Sequence, residues 1–154
     1  MKKSVLSRLL PSAALALAVT VPAPVLAEAP GAETVTVYKT PTCGCCAGWV
    51  DYLREEGFAV EVHDLEDLTA VKVENGLTDP RLASCHTALV GGYLVEGHVP
   101  AGDIRRLLRE RPEVTGITAP GMPNLSPGMM SRQPKDYDVL SFDEQGNIRL
   151  FSRY

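Results

Sequence analysis

The chain has 154 residues and a formal charge of −4, and four of its residues are cysteine. This length is enough for one domain with a single hydrophobic core. The acidic balance argues against nucleic acid as a partner, because phosphate backbones are bound by basic surfaces.

Residues 1–27 are typical of a cleaved export signal. Three basic residues precede the mostly apolar stretch 9–21, and small residues end at Ala27, where cleavage is expected. The alternative is a retained anchor helix, but the apolar run is short and is interrupted by prolines. Cleavage would leave residues 28–154 as one soluble periplasmic domain with no membrane insertion. Its charge would be −7, because the three charged residues of the signal are all basic.

The first half of the mature chain predicts strands alternating with helices, since apolar residues recur at spacings of two and then of three or four. In chain order these elements are a strand over 34–38, a helix over 45–56, a strand over 58–62 and a helix over 67–75. Thr42 is placed to cap the first helix, and the first βαβ unit should be parallel and right-handed.

The second half begins with a predicted hairpin and a helix. The hairpin joins residues 87–90 and 93–96 through Gly91-Gly92, and the helix covers 103–110. Residues 111–134 are rich in Pro, Gly, Ser and Asn and predict a loop, in which the tripeptide Pro-Gly-Met occurs at 120–122 and again at 127–129. A second hairpin is predicted over 138–142 and 147–151. The predicted class is therefore α/β, in the order β-α-β-α-β-β-α, followed by a Pro/Gly/Met loop and a C-terminal hairpin.

The cysteines occupy two places, the run Cys43-Gly44-Cys45-Cys46 and position Cys85. Three thiols within four residues do not form a disulfide framework, because adjacent cysteines bridge only with strain. Such a cluster suits a redox pair, a soft metal, or both. Cys43 lies at the start of a predicted helix, whose dipole lowers a thiol pKa and favours the thiolate.

The types of the surrounding side chains indicate copper. Soft thiolates and thioethers select Cu(I) and imidazole is tolerated, whereas zinc rarely takes thioethers. His86 directly follows Cys85, and the repeated turns carry Met122 and Met129. These three side chains join the four cysteines as candidate metal ligands.

Each assignment has an alternative that the residues leave open. Cys43 and Cys46 form a C-x-x-C pair of the kind that disulfide oxidoreductases use, and Cys85 has the alternatives of a small core residue or a structural bridge. A core hydrogen bond would also explain His86 or His98. The two methionines would otherwise fill gaps in the core.

Several short motifs resemble one known family, the CopG-type copper-resistance proteins. They are residues 38–46 with the cysteine run, Ser84-Cys85-His86-Thr87-Ala88, Gly97-His98-Val99-Pro100-Ala101, and the two Pro-Gly-Met turns. The element order also resembles the thioredoxin fold, with Ser84–Thr87 at the place where that fold usually has a cis-proline. The resemblance implies an exported protein that binds copper through its thiols, as a small multi-copper cluster, with a role in copper redox chemistry.

The sequence thus leads to a main hypothesis and an alternative. The main hypothesis is an exported protein that holds Cu(I) on Cys43, Cys45, Cys46 and Cys85 and acts in copper resistance, with copper ions and other exported copper-handling proteins as partners. The alternative is a thiol–disulfide oxidoreductase that uses Cys43 and Cys46 as catalytic residues. Whether either activity is enzymatic, as a copper or a thiol oxidoreductase, is left open at this stage.

Overall fold

A computed structural model describes residues 33–154 of the protein. The predicted export signal, residues 1–27, lies outside the described residues. Within them the structure has three α-helices and one mixed sheet, which confirms the predicted α/β class.

Seven strands form the sheet. In chain order they are β1 Val35–Lys39, β2 Val60–Asp64, β3 His86–Val90, β4 Tyr93–Glu96, β5 Gly116–Thr118, β6 Asp138–Phe142 and β7 Ile148–Arg153. Across the sheet the strands follow the order β2-β1-β3-β4-β5-β6-β7. β1 is parallel to β2, as predicted for the first βαβ unit, and antiparallel to β3. β4 is parallel to β5, and the remaining neighbours are antiparallel.

Three α-helices accompany the sheet: α1 Gly44–Glu55, α2 Thr69–Glu74 and α3 Ala101–Glu110, with a short 3₁₀ turn at Pro80–Leu82. The main core lies between the sheet and two of them. Trp49 and Leu53 of α1, Ile104 and Leu107 of α3, and Val37 of β1 are all fully buried in it. Removal of these side chains from water is the main stabilising contribution to the fold.

The hairpin between β3 and β4 confirms the turn predicted at Gly91-Gly92. Both glycines have positive φ, at 57° and 86°, as a two-residue turn matched to the strand twist requires. The loop therefore fixes the register that places Thr87 opposite Glu96.

The prediction of a loop throughout residues 111–134 was wrong. Residues 116–118 form β5, which lies between β4 and β6 in the sheet, and Ile117 is fully buried. Three residues are too few to show periodicity, so this strand is defined by its neighbours rather than by its own sequence. α3 also begins two residues before the predicted start, at Ala101.

No helix among the described residues is long and apolar enough to cross a membrane.

Candidate metal centre

The start of α1 organises the first three cysteines. The helix N-cap is Cys43, not the predicted Thr42, and its Sγ accepts a hydrogen bond from the backbone N–H of Cys46 at 3.3 Å. Cys43 and Cys46 are joined by a disulfide, with their Cα atoms 5.3 Å apart. The C-x-x-C pair is therefore described in its oxidised state, and Cys45 and Cys85 are free.

The four cysteine sulfurs form one cluster, in which all lie within 4.8 Å of one another. Cys45 Sγ is 3.6 Å from Cys43 Sγ, and Cys85 Sγ is 3.3 Å from Cys46 Sγ. Each free thiol thus lies beside one end of the disulfide. The structure brings together the four cysteines that the sequence analysis proposed as ligands.

Cys85 reaches this cluster from a different part of the chain, the segment that leads into β3. It is half-buried, and burial, followed by the nearby charge of Cys45, raises the pKa of its thiol to about 11. Without a metal, this thiol is therefore protonated near neutral pH.

His98, for which the sequence left a core hydrogen bond and a place in the site open, contacts Cys85 directly. Its Nε2 lies 3.3 Å from Cys85 Sγ, and its Nδ1 lies 2.7 Å from the carbonyl oxygen of Pro127. Because a carbonyl only accepts, Nδ1 carries the proton and Nε2 presents a lone pair to the sulfur. Burial lowers the pKa of His98, so the ring is neutral at physiological pH.

His86 also lies beside Cys85, with Nδ1 3.5 Å from its sulfur, and its ring centroid is 5.0 Å from that of His98. The ring is fully buried and packs on Trp49, with the ring centroids 4.4 Å apart. Burial, and then the proximity of His98 and Lys72, lowers its pKa well below 6.5. Among the described residues nothing forms a hydrogen bond with its Nε2, although buried polar atoms normally have a partner.

The two Pro-Gly-Met turns contact the two segments that carry the cysteines. In the first turn, Gly121 pairs with Ser84 in an isolated bridge, and its carbonyl accepts a hydrogen bond from the Ser84 hydroxyl. In the second turn, Gly128 packs on α1 so closely that a Cβ added at Gly48 would lie 2.9 Å from its carbonyl oxygen. The first turn is therefore attached to the segment that carries Cys85, and the second turn packs on the helix that carries Cys45 and Cys46.

The methionines of these turns are not in the core. Met122 is 57% exposed, Met129 is half-buried and Met130 is 81% exposed. Their exposure argues against the alternative in which they fill gaps in the core. Ligation by Met122 or Met129 stays a prediction.

Two residues that hold the site were missed by the sequence analysis. Glu96 at the end of β4 is fully buried, and it pairs with Lys72 of α2. Their side chains bind the segment on which Cys85 and His86 lie. A single charged residue in a strand pattern is usually solvent-exposed, so no signal in the sequence marked this pair.

The donor set fits a soft metal. Four sulfurs and the nitrogens of His86 and His98 form two overlapping groups that share Cys85, and each group has its ligand atoms within 4.8 Å. Thiolate and imidazole ligands without a carboxylate suit Cu(I) or zinc rather than magnesium or calcium.

Comparison with known proteins identifies the class to which this fold and site belong. Residues 82–129, which include Cys85, both histidines and both Pro-Gly-Met turns, match the family described as "Protein of unknown function, DUF411". No curated protein matches the chain.

Two solved structures resemble the whole described fold. They are titled "Copper resistance protein copG", Form 2 and Form 1, and each is 39% identical to this chain with a TM-score of 0.72. Each match covers 79% of this chain and at least 96% of the other. At this identity and coverage, the chain belongs to the CopG copper-resistance family, which confirms the resemblance found in the sequence.

Proposed function

We propose that this protein binds copper as Cu(I) on Cys43, Cys45, Cys46 and Cys85 and acts in copper resistance. The observation that carries the proposal is the cluster of four sulfurs within 4.8 Å. The titles of the related structures support copper as the metal. Binding through all four sulfurs requires prior reduction of the Cys43–Cys46 disulfide, because the thiolate is the metal ligand.

This requirement links copper binding to the redox state of the protein. Reduction of the disulfide takes two electrons and two protons and provides two more sulfur ligands, whereas oxidation removes them. The neutral rings of His86 and His98 add nitrogen donors without adding charge, and Met122 and Met129 are proposed to add thioethers from the turns. The room for several donors is consistent with more than one copper ion.

The decisive experiment is a Cu(I) titration of the protein, reduced with dithiothreitol, desalted and kept anaerobic, in competition with a chelator. We expect sulfur-to-copper absorption in the ultraviolet and a strong loss of Cu(I) retention in Cys45→Ser and in Cys85→Ser. Ala47→Ser is the matched control, because Ala47 is an exposed residue on the same helix as Cys45. Retention at the wild-type level in Cys85→Ser would contradict a shared four-sulfur site.

A second candidate function is thiol–disulfide exchange. The Cys43–Cys46 disulfide at the start of α1 favours it, since a C-x-x-C pair at a helix N-terminus is the arrangement that such oxidoreductases use. Reduction of a model disulfide substrate distinguishes the two functions. Cys45→Ser should retain exchange activity if this candidate is right, but should lose copper if the first proposal is right.

We also propose that the fold is thioredoxin-like. The support is that β1 pairs with both β2 and β3, and that the β3–β4 hairpin precedes α3. Superposition of an experimental structure on a thioredoxin tests this, and a sheet in which β1 and β3 were not neighbours would contradict it.

The proposed location is the periplasm, with residues 28–154 as the single mature domain. The basic and apolar character of residues 1–27 supports export. Mass spectrometry of the protein from a periplasmic extract should show an N-terminus at Glu28. Deletion of residues 2–27 is the control and should retain the protein in the cytoplasm.

A further inference from the structure

A buried ion pair lies next to the metal centre, in contact with the two residues that flank Cys85 and His86. Glu96 Oε1 accepts a hydrogen bond from Lys72 Nζ, and the exposed fractions of the two side chains are 0% and 15%. An ion pair with so little solvent contact loses most of its hydration, and its net contribution to stability is often small. A contribution to stability alone therefore does not account for this ion pair.

The pair binds both ends of a four-residue segment. At the first end, Glu96 Oε1 accepts from the Ser84 N–H at 2.6 Å, and Lys72 Nζ donates to the Ser84 carbonyl at 3.3 Å. At the other end, the Thr87 hydroxyl donates to Glu96 Oε2 at 2.7 Å and accepts from Lys72 Nζ at 2.9 Å. Two side chains thus make four hydrogen bonds to Ser84 and Thr87.

Cys85 and His86 lie between these two fixed ends. His86 and Thr87 are also held by the sheet, because they pair with Lys39 and Tyr38 of β1, and the His86 carbonyl accepts from the Gly97 N–H at 3.1 Å. Ser84 precedes β3, and besides the ion pair it bonds to Gly121. The position of Cys85 Sγ, 3.3 Å from Cys46 Sγ, therefore depends mainly on how firmly Ser84 is held.

We propose that Glu96 is a positioning residue, with Lys72 as its charge partner, and that its carboxylate holds the Ser84–Thr87 segment so that Cys85 and His86 face the cysteines at the start of α1. The inference rests on the proposed copper function for its consequence, but the positioning itself is a property of the metal-free protein. The hydrogen bonds of Glu96 carry this role, and the charges are needed only because Lys72 and Glu96 compensate each other.

Two double variants separate the hydrogen bonds from the charges. Lys72→Met with Glu96→Gln removes both charges, while the Gln carbonyl can still accept from the Ser84 N–H and its amide can donate to the Thr87 hydroxyl. Lys72→Met with Glu96→Leu also removes both charges but makes no hydrogen bond to the segment. Apolar replacement of a buried ion pair is commonly tolerated, so both proteins are expected to fold.

The first readout needs no copper. In metal-free protein with the disulfide intact, the free thiols of Cys45 and Cys85 are alkylated, and their rates are compared by mass spectrometry. Cys45 lies on α1 and serves as the internal reference. We expect the Cys85-to-Cys45 rate ratio to rise about tenfold in the Leu variant, as its segment moves away from α1, and to stay near the wild-type value in the Gln variant.

The second readout is the rate of Cu(I) loss from the reduced, loaded proteins to a chelator. We expect about a 10- to 100-fold faster loss from the Leu variant, the usual effect of removing groups that orient metal ligands, and rescue in the Gln variant. If the ion pair only stabilised the fold through its charges, an uncharged Gln at position 96 would not restore both the alkylation ratio and the rate of Cu(I) loss.

The outcomes distinguish the two proposals. A Cys85-to-Cys45 rate ratio at the wild-type value in the Leu variant would overturn the positioning role. A ratio in the Gln variant as high as the one expected for the Leu variant would overturn it as well. Failure of wild-type protein to bind Cu(I) would overturn the copper proposal alone, since the alkylation test still stands. If the Leu variant does not fold, Thr87→Val, which removes one tie to each partner, should raise the ratio by a smaller factor, and an unchanged ratio would refute the inference.

Discussion

Mild acid should destabilise the metal-free protein, because two of its histidines are buried as neutral rings. His86 is fully buried, and His98 lies between Cys85 and the Pro127 carbonyl. Burial lowers the pKa of both below 6.5, the ordinary value that they regain on unfolding. Below about pH 6.5 the unfolded chain therefore binds protons that the folded protein does not, and stability falls as the pH falls.

The magnitude follows from proton linkage. A histidine that is protonated only in the unfolded state lowers the free energy of unfolding by about 1.4 kcal/mol for each pH unit below about 6.5. His86 and His98 together should therefore remove up to about 2.7 kcal/mol per pH unit. Several aspartates, among them Asp67 and Asp143, have pKa values below 3.8 because their carboxylates accept hydrogen bonds, and they titrate outside this window.

Urea unfolding of metal-free protein at about pH 7.5 and about pH 5.5 measures the effect, with two variants as comparisons. His98→Asn retains a donor at the position of Nδ1 for the Pro127 carbonyl but cannot titrate, so its pH dependence should be smaller by up to about 1.4 kcal/mol per pH unit. His63→Gln is the control, because His63 is 43% exposed. Burial raises the pKa of Glu96 and adds a contribution of the opposite sign, which is common to all three proteins and cancels in the comparison.

The variant comparison can refute this reasoning in two ways. If His98→Asn keeps the whole pH dependence, His98 is not held neutral in the folded protein. If His63→Gln removes the dependence, the exposed histidine is its source and burial is not the cause.

Three further predictions test the surroundings of the site. Gly48→Ala should lower the free energy of unfolding, measured with urea, by about 1–3 kcal/mol, because its Cβ would lie 2.9 Å from the Gly128 carbonyl oxygen. Gly102→Ala is the control and should raise that free energy by about 0.5–1 kcal/mol, because its Cβ would have nothing within 4 Å. The double variant Met122→Ala with Met129→Ala should speed Cu(I) loss to a chelator. It should change the free energy of unfolding by less than about 1 kcal/mol, since Met122 is 57% exposed. An unfolded double variant would show that the methionines pack the fold, and a wild-type release rate would show that they do not bind copper. With the disulfide intact, the alkylation rate of Cys85 should rise about tenfold per pH unit between about pH 7 and pH 10, because its pKa is about 11; a plateau near pH 8 would contradict that value.

Local sequence was enough to predict the elements whose signals lie within a few residues. The alternation in β1, the glycines between β3 and β4 and the C-terminal β6–β7 hairpin all have short-range patterns, and each is present close to its predicted place. The cysteine run was predicted at a strand-to-helix turn for the same reason. Its chemistry indicated a soft metal before any fold was known, because three thiols in four residues have few other uses.

Tertiary structure decided what surrounds those thiols. His98 is 13 residues from Cys85 in the chain, and Lys72 is 24 residues from Glu96, so each contact exists only because the sheet and α2 bring distant segments together. β5 is a strand because β4 and β6 flank it, and Pro127 reaches His98 because Gly48 lets the second turn approach α1. A residue's own neighbours in the sequence determine its local conformation, but burial and long-range pairing determine which polar groups must be satisfied together. For that reason the identities of the cysteine ligands could be proposed from the sequence, while the buried groups that orient them appeared only in the folded protein.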